Sequence, residues 1–154
     1  MQIVVAVVGK PRDTALAAAI HEYETRAARY WPLEVREVRE ERARSASSQQ
    51  VRTREAERLA SELPVAAHVV ACEQGGQTMT SESFAAWLQG QREEARDVAF
   101  VIGGAYGLGQ AVHARTNRRL SLAAWTLPHE LARLVLAEQL YRAGTIVRRE
   151  PYHK

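Results

Sequence analysis

Three short and almost uninterrupted apolar runs, Ile3–Val8, Ala67–Cys72 and Val98–Ile102, leave little freedom in how this chain can fold. A strand with one face in water alternates apolar and polar side chains, whereas one covered on both faces is apolar throughout. Leu33, Val35 and Val38 mark a fourth, more exposed strand, and a fifth is expected near Leu120–Ala124. Longer segments with helical spacing lie between the strands. Asp13 is placed to cap a helix through about Arg29, with Leu16, Ala19, Ile20 and Tyr23 at helical spacing. A charged helix is expected from about Val51 to the stop at Pro64, and another from about Ser81 to Glu94. A short helix around Gln110 to Thr116 and a last helix over Pro128–Ala143 complete the series, with proline favoured at its start. Arg39 to Gln50 reads as a mobile polar loop and Glu73 to Met79 as a glycine-containing loop. Strands separated by helices predict an α/β fold, a mostly parallel sheet flanked by helices. With no repeat or linker, residues 1–154 are expected to form one domain.

Whole-chain properties narrow the function. Cys72 is the only cysteine, so neither a disulfide framework nor a cysteine-based zinc site is available, and no metal is expected. No apolar run approaches the length of a signal peptide core or a membrane helix, which leads to the expectation of a cytoplasmic protein. Net charge is only +3, yet of 21 cationic side chains all but Lys10 and Lys154 are arginine. Arginine suits phosphate and base stacking, although genome composition gives the same excess. So mild a balance does not make a strong electrostatic binder of nucleic acid; shape and a local patch would have to carry recognition.

Four features carry chemistry. Gly103-Gly104-Ala105-Tyr106-Gly107-Leu108-Gly109 directly follows a buried strand, where open α/β sheets bind ligands. Its spacing is neither the dinucleotide fingerprint nor a P-loop. Ser121 to His129 leads from a strand into the start of a helix, a junction whose backbone groups can read a ring edge. In the last helix, Leu131, Leu134 and Val135 lie on one side and Leu136, Leu140 and Ala143 on another. That demands two covers, either a partner subunit or a second helix of the same chain. Glu138 and Arg142 stand four apart on it and can pair. The tail, Arg148 to Lys154, mixes cations with Tyr152 and His153, groups able to grip phosphate and stack on a base.

These blocks together resemble the RlmH family, small methyltransferases of the SPOUT class. The resemblance runs the full length and rests on Val5–Lys10, Ile102–Gly107, Thr126–His129, Glu138–Ala143 and Glu150–Lys154. It implies a C-terminal trefoil knot, S-adenosylmethionine as methyl donor, and methylation of ring nitrogen 3 of a pseudouridine in 23S ribosomal RNA within the ribosome. It also implies a homodimer with a shared site. Cofactor contacts would be Cys72, Gly103, Gly104 and the segment Leu122, Ala123, Ala124, Trp125, Thr126 and Leu127, largely through backbone. His129 and Arg142 would stand near the methyl group, with Tyr152, His153 and Lys154 coming from the partner's tail. Cys72 and Gln77 depart from residues common in the family. Two other readings stay open: a non-catalytic ribosome or RNA-binding factor, and a SPOUT methyltransferase for a different RNA.

Overall fold

The computed structural model describes residues 1–42 and 44–153; the side chain of His153 and all of Lys154, both expected near the acceptor, lie outside the described residues. In chain order the elements are β1 (Ile3–Val8), α1 (Thr14–Ala27), β2 (Leu33–Val38), α2 (Ser48–Ser61), β3 (His68–Gln77), α3 (Ser81–Glu93), β4 (Val98–Ile102), α4 (Gln110–His113), β5 (Arg118–Leu120) and α5 (His129–Val147), closed by a 3-10 turn at Pro151–His153. The five strands form one sheet in the order β2-β1-β4-β3-β5, and every neighbouring pair is parallel. The α/β architecture expected from the apolar runs is the one observed.

Alternation along the strands divides the core. Val5, Val70 and Phe100, which face one another across β1, β4 and β3, point to a layer built by α1, α3 and α5. Val4, Ala6, Val69, Ala71, Ala99 and Val101 point the other way, onto α2 and α4. Both faces of β1 and β4 are dry, which is why these strands tolerate no polar residue.

Helix α5 lies against α1 on one side and α3 on the other. Its buried side carries Leu136, Leu140 and Ala143 into the first core layer. Trp31, itself fully buried, donates its indole N–H to the Leu140 carbonyl at 2.8 Å. Arg133 is buried on the same helix, its guanidinium held by Glu24 of α1 at 2.7 Å and Glu37 of β2 at 3.3 Å. Helices of the same chain thus supply part of the second cover that the two-sided pattern demanded. Leu131, Leu134 and Val135 stay half-exposed and belong to neither core layer.

Several boundaries differ from expectation, each for a local reason. Helix α2 starts at Ser48 rather than Val51, because Ser47 and Gln50 form a reciprocal capping box that draws the serine stretch into the helix start. Strand β3 runs on to Gln77 instead of ending at Cys72. Cys72 and Gln77 both pair with Leu120, with a register shift between them, so the segment read as a loop is a bulge inside a strand. Strand β5 stops at Leu120: the Ser121 hydroxyl donates to the Ala123 carbonyl at 2.7 Å and turns the chain out of the ladder. Helix α5 continues past Gly144, whose missing side chain leaves room for the Tyr30 ring.

Candidate functional site

The start of the bulge in β3, the carboxyl end of β4 and the loop entering α5 enclose a cleft of about 250 Å³. Three stretches of backbone build it: Cys72 to Gln74, Ile102 to Leu108, and Leu122 to Leu127, with His129 and Ala132 of α5 closing one side. Of the residues expected to hold a cofactor, Cys72, Gly103, Gly104, Leu122, Ala123, Trp125, Thr126 and Leu127 line this cleft. Ala124 does not line it, but its carbonyl accepts a hydrogen bond from Gln74 at 3.1 Å.

Local chemistry fixes the three stretches. Beyond β4 the chain folds back so that the Gly107 N–H reaches the Gly104 carbonyl at 3.1 Å, and Gly107 takes φ +80°, a left-handed conformation that favours glycine. Gln74 clamps the loop before α5, since its other amide atom accepts the Thr126 hydroxyl at 2.8 Å. Gln74 went unnoticed in the sequence, where a glutamine beside two glycines looks like loop filler. Trp125 stands 83% exposed at the rim, a large apolar surface open to solvent. The walls are otherwise apolar or backbone, contributed by Ile102, Leu108, Leu122, Leu127 and Ala132.

Polar groups in and behind the cleft are few. The Cys72 thiol is pushed up to about 12 by burial and by the neighbouring Glu73 carboxylate, so it stays protonated and unreactive. Glu73 is bound by Arg119 at 2.5 Å and by His113 at 3.1 Å. His129 occupies the first turn of α5 and is half-buried at the cleft wall. Among the described residues no group of three or more His, Cys, Asp or Glu could hold a metal ion, and no helix is long and apolar enough to cross a membrane.

Arg142 and Tyr152 form a second centre. Thirteen positions separate His129 from Arg142 on α5, about 20 Å at the helical rise per residue. Within one chain, therefore, Arg142 does not face the cleft. It sits instead with Tyr152 of its own chain, the guanidinium 4.9 Å from the ring centroid. The Tyr152 hydroxyl lies 3.1 Å from Glu138 and 3.4 Å from the Tyr23 hydroxyl, and its ring packs 4.5 Å from Tyr141. Burial, Tyr23 and Glu138 raise its pKa, so the phenol keeps its proton. Tyr23 was read from sequence only as a packing residue of α1.

The cleft can hold a small ligand with a flat ring: a wall without side chains at Gly103 and Gly104, apolar surface for a ring, and the 122–127 segment at its edge. A family model described as "Predicted SPOUT methyltransferase" matches residues 1–153. A protein of Gemmatimonas aurantiaca named ribosomal RNA large subunit methyltransferase H is 66% identical over 154 residues, covering all of both chains. Proteins of the same name from Listeria monocytogenes and Geobacter metallireducens are 43% identical over 159 residues and 41% identical over 154, with both chains covered by 99% or more. In fold, a probable methylase family protein from Haemophilus influenzae superposes with a TM-score of 0.55 at 11% identity, over 99% of this chain and 70% of that one. The parallel sheet, the cleft at its carboxyl edge and the full-length likeness make this chain a member of the SPOUT methyltransferases, in the RlmH family.

Proposed function

We propose that this protein, a single domain over residues 1–154, methylates ring nitrogen 3 of a pseudouridine in 23S ribosomal RNA, with S-adenosylmethionine as donor. It works in the cytoplasm as a homodimer on the assembled ribosome. The observation that carries this reading is the cleft between the β3 bulge, the glycine-rich loop after β4 and the 122–127 segment, in a chain alike over its full length to proteins named for large-subunit ribosomal RNA methylation. The C-terminal trefoil knot of the class belongs to the same reading.

When bound, the donor supplies a methyl group already activated on a sulfonium, so the protein's work is alignment and charge. Cys72, Gly103, Gly104, Leu122, Ala123 and Trp125 to Leu127 hold the donor, mainly through backbone groups, with Ala124 tied behind them to Gln74. Trp125 covers its exposed side. Arg142, kept cationic and oriented by Glu138, stabilises the negative charge that develops on the base as its imide proton leaves. His129 or His153 accepts that proton, directly or through water. Tyr152, as a protonated phenol, positions the base.

The 20 Å between His129 and Arg142 calls for two chains. A two-fold packing of α5 against its copy, through the half-exposed stripe of Leu131, Leu134 and Val135, runs the helices in opposite directions. Each cleft then meets the Arg142–Tyr152 end of the other protomer. The half-exposed apolar stripe, on the same helix that supplies His129 and Ala132 to the cleft, supports this arrangement.

The test offers isotopically labelled donor to intact ribosomes, separated subunits, free ribosomal RNA and transfer RNA, followed by nucleoside mass spectrometry. Methylated pseudouridine from the large subunit is expected, faster on intact ribosomes than on naked RNA, because the net charge of +3 gives little general attraction to phosphate. Label only in transfer RNA, or in none of the RNAs, overturns the reading.

A further inference from the structure

One ionisable group beside the donor cleft has no task in the mechanism above. Glu55, in the middle of α2, is only 2% exposed. Its Oε1 accepts the Glu41 backbone N–H at 3.2 Å, and its Oε2 has no hydrogen-bond partner among the described residues. Leaving a buried carboxyl oxygen unpaired is costly, and such an atom beside a binding cleft calls for a reason. Its position supplies one. A Cβ built on Gly104 would stand 2.6 Å from this Oε2, so the carboxyl fits against the loop only because residue 104 has no side chain. Gly104 is itself part of the cleft wall.

We propose that Glu55 is the buried counter-charge of the donor cleft, set behind the Gly104 backbone, and that it favours the cationic sulfonium of the donor over the neutral thioether of the spent product. This rests on the reading of the cleft as the donor site. The surroundings suit the task. Burial first, and Glu40 with it, push the Glu55 pKa up, while the Glu41 N–H, Arg58 and His129 pull it down. The net shift is upward, with burial its main cause, and a further positive charge arriving nearby favours the ionised form. Donor and product share the adenosine, the ammonium and the carboxylate, and differ by one methyl and one positive charge. Their affinity ratio therefore isolates what Glu55 sees. Favouring the charged form also speeds exchange of product for fresh donor.

Calorimetric titration of S-adenosylmethionine and S-adenosylhomocysteine into full-length wild-type, Glu55→Gln and Glu55→Asp proteins tests this directly. The glutamine keeps the acceptor for the Glu41 N–H and removes only the charge. Wild-type protein is expected to bind the sulfonium more tightly than the thioether. Glu55→Gln is expected to lose roughly tenfold in donor affinity, the scale of a unit charge acting several ångströms away in a partly buried setting, with product affinity unchanged. Glu55→Asp is expected to recover most of that preference. Equal weakening of both ligands, or of neither, in Glu55→Gln overturns the assignment, because a purely structural residue does not sense the ligand's charge. Thermal melting checks that the variant folds. If it does not, the wild-type ratio decides: equal affinities, or a tighter product, overturn the proposal. Wild-type protein that binds neither ligand refutes instead the reading of the cleft on which it stands.

Discussion

Glu138 holds the Arg142 guanidinium through both Nε and Nη2, at 2.9 and 2.6 Å, from one turn earlier on the same helix. The same carboxylate oxygen lies 3.1 Å from the Tyr152 hydroxyl, while the other accepts Gln139 at 2.7 Å. A long flexible side chain is thereby fixed before any substrate arrives, which lowers the ordering cost of placing positive charge at a reacting base.

Replacing Arg142 by alanine is expected to lower kcat by about a hundredfold or more, with donor affinity unchanged, since the guanidinium acts on charge that develops only during transfer. Single-turnover kinetics alongside calorimetry measures the two separately. Equal losses in both would remove Arg142 from its assigned role.

Glu138→Gln retains the shape but releases the guanidinium. Its kcat is expected to fall by roughly tenfold, and by nothing further in an Arg142→Ala background, because residues acting as one unit are not additive. Additive losses in the double variant would separate Glu138 from Arg142.

The proposed sharing of the site between two chains predicts complementation. If His129 is the proton acceptor, His129→Ala and Arg142→Ala proteins are each expected to be nearly inactive alone and to regain roughly a quarter of wild-type activity after random mixing, since half the dimers then hold one intact site of two. No recovery on mixing, after exchange of subunits is shown, would place the whole site in one chain.

Gly144→Ala tests how α1 and α5 meet. An added Cβ would lie 2.3 Å from Cγ of Tyr30, a ring whose hydroxyl is bound to Glu150. Overpacking of this kind is expected to destabilise the fold by about 1–3 kcal/mol, read as a drop in denaturant midpoint. A midpoint equal to that of wild type would mean that Tyr30 moves aside freely.

Burial of Cys72 makes a prediction about alkali. Its thiol pKa is raised from the ordinary value near 9.0 to about 12, so the folded form holds its proton more tightly than the unfolded chain does. The resulting stability is fully present below pH 9.0 and is lost as pH rises through about 12. Wild-type melting temperature should fall across that window more than that of Cys72→Ala, which cancels the contributions of the tyrosines. Iodoacetamide should label Cys72 slowly near neutrality, followed by mass spectrometry. Rapid labelling there would show an accessible thiolate.

Much of the fold was legible residue by residue. Strands β1 and β4 begin and end where the apolar runs do, because a strand dry on both faces admits only apolar side chains. Asp13 caps α1 as expected, its carboxylate taking the Leu16 N–H at 2.8 Å. The edges were harder to read. Arg118–Leu120 is a short strand that the hydroxyl of Ser121 ends, and a single hydroxyl leaves no mark on a hydrophobic pattern. The glycine-rich loop and the 122–127 segment pointed to a binding cleft, whereas Gln74 and Glu55 had no signal. Glu55 reads as one more charge on a polar helix, and only the packing of α2 beneath the β4 loop removes it from water.

Sequence by itself determined the alternation of buried strands and helices, and hence a parallel sheet with a ligand cleft at its carboxyl edge, because periodicity and glycine placement act locally. Tertiary structure decided which chemical groups meet. It joined Arg142 to Tyr152 and Tyr152 to Tyr23, and left against Gly104 a carboxyl oxygen of Glu55 with no partner among the described residues. Such meetings depend on contacts between residues distant in the chain, and no local pattern encodes them.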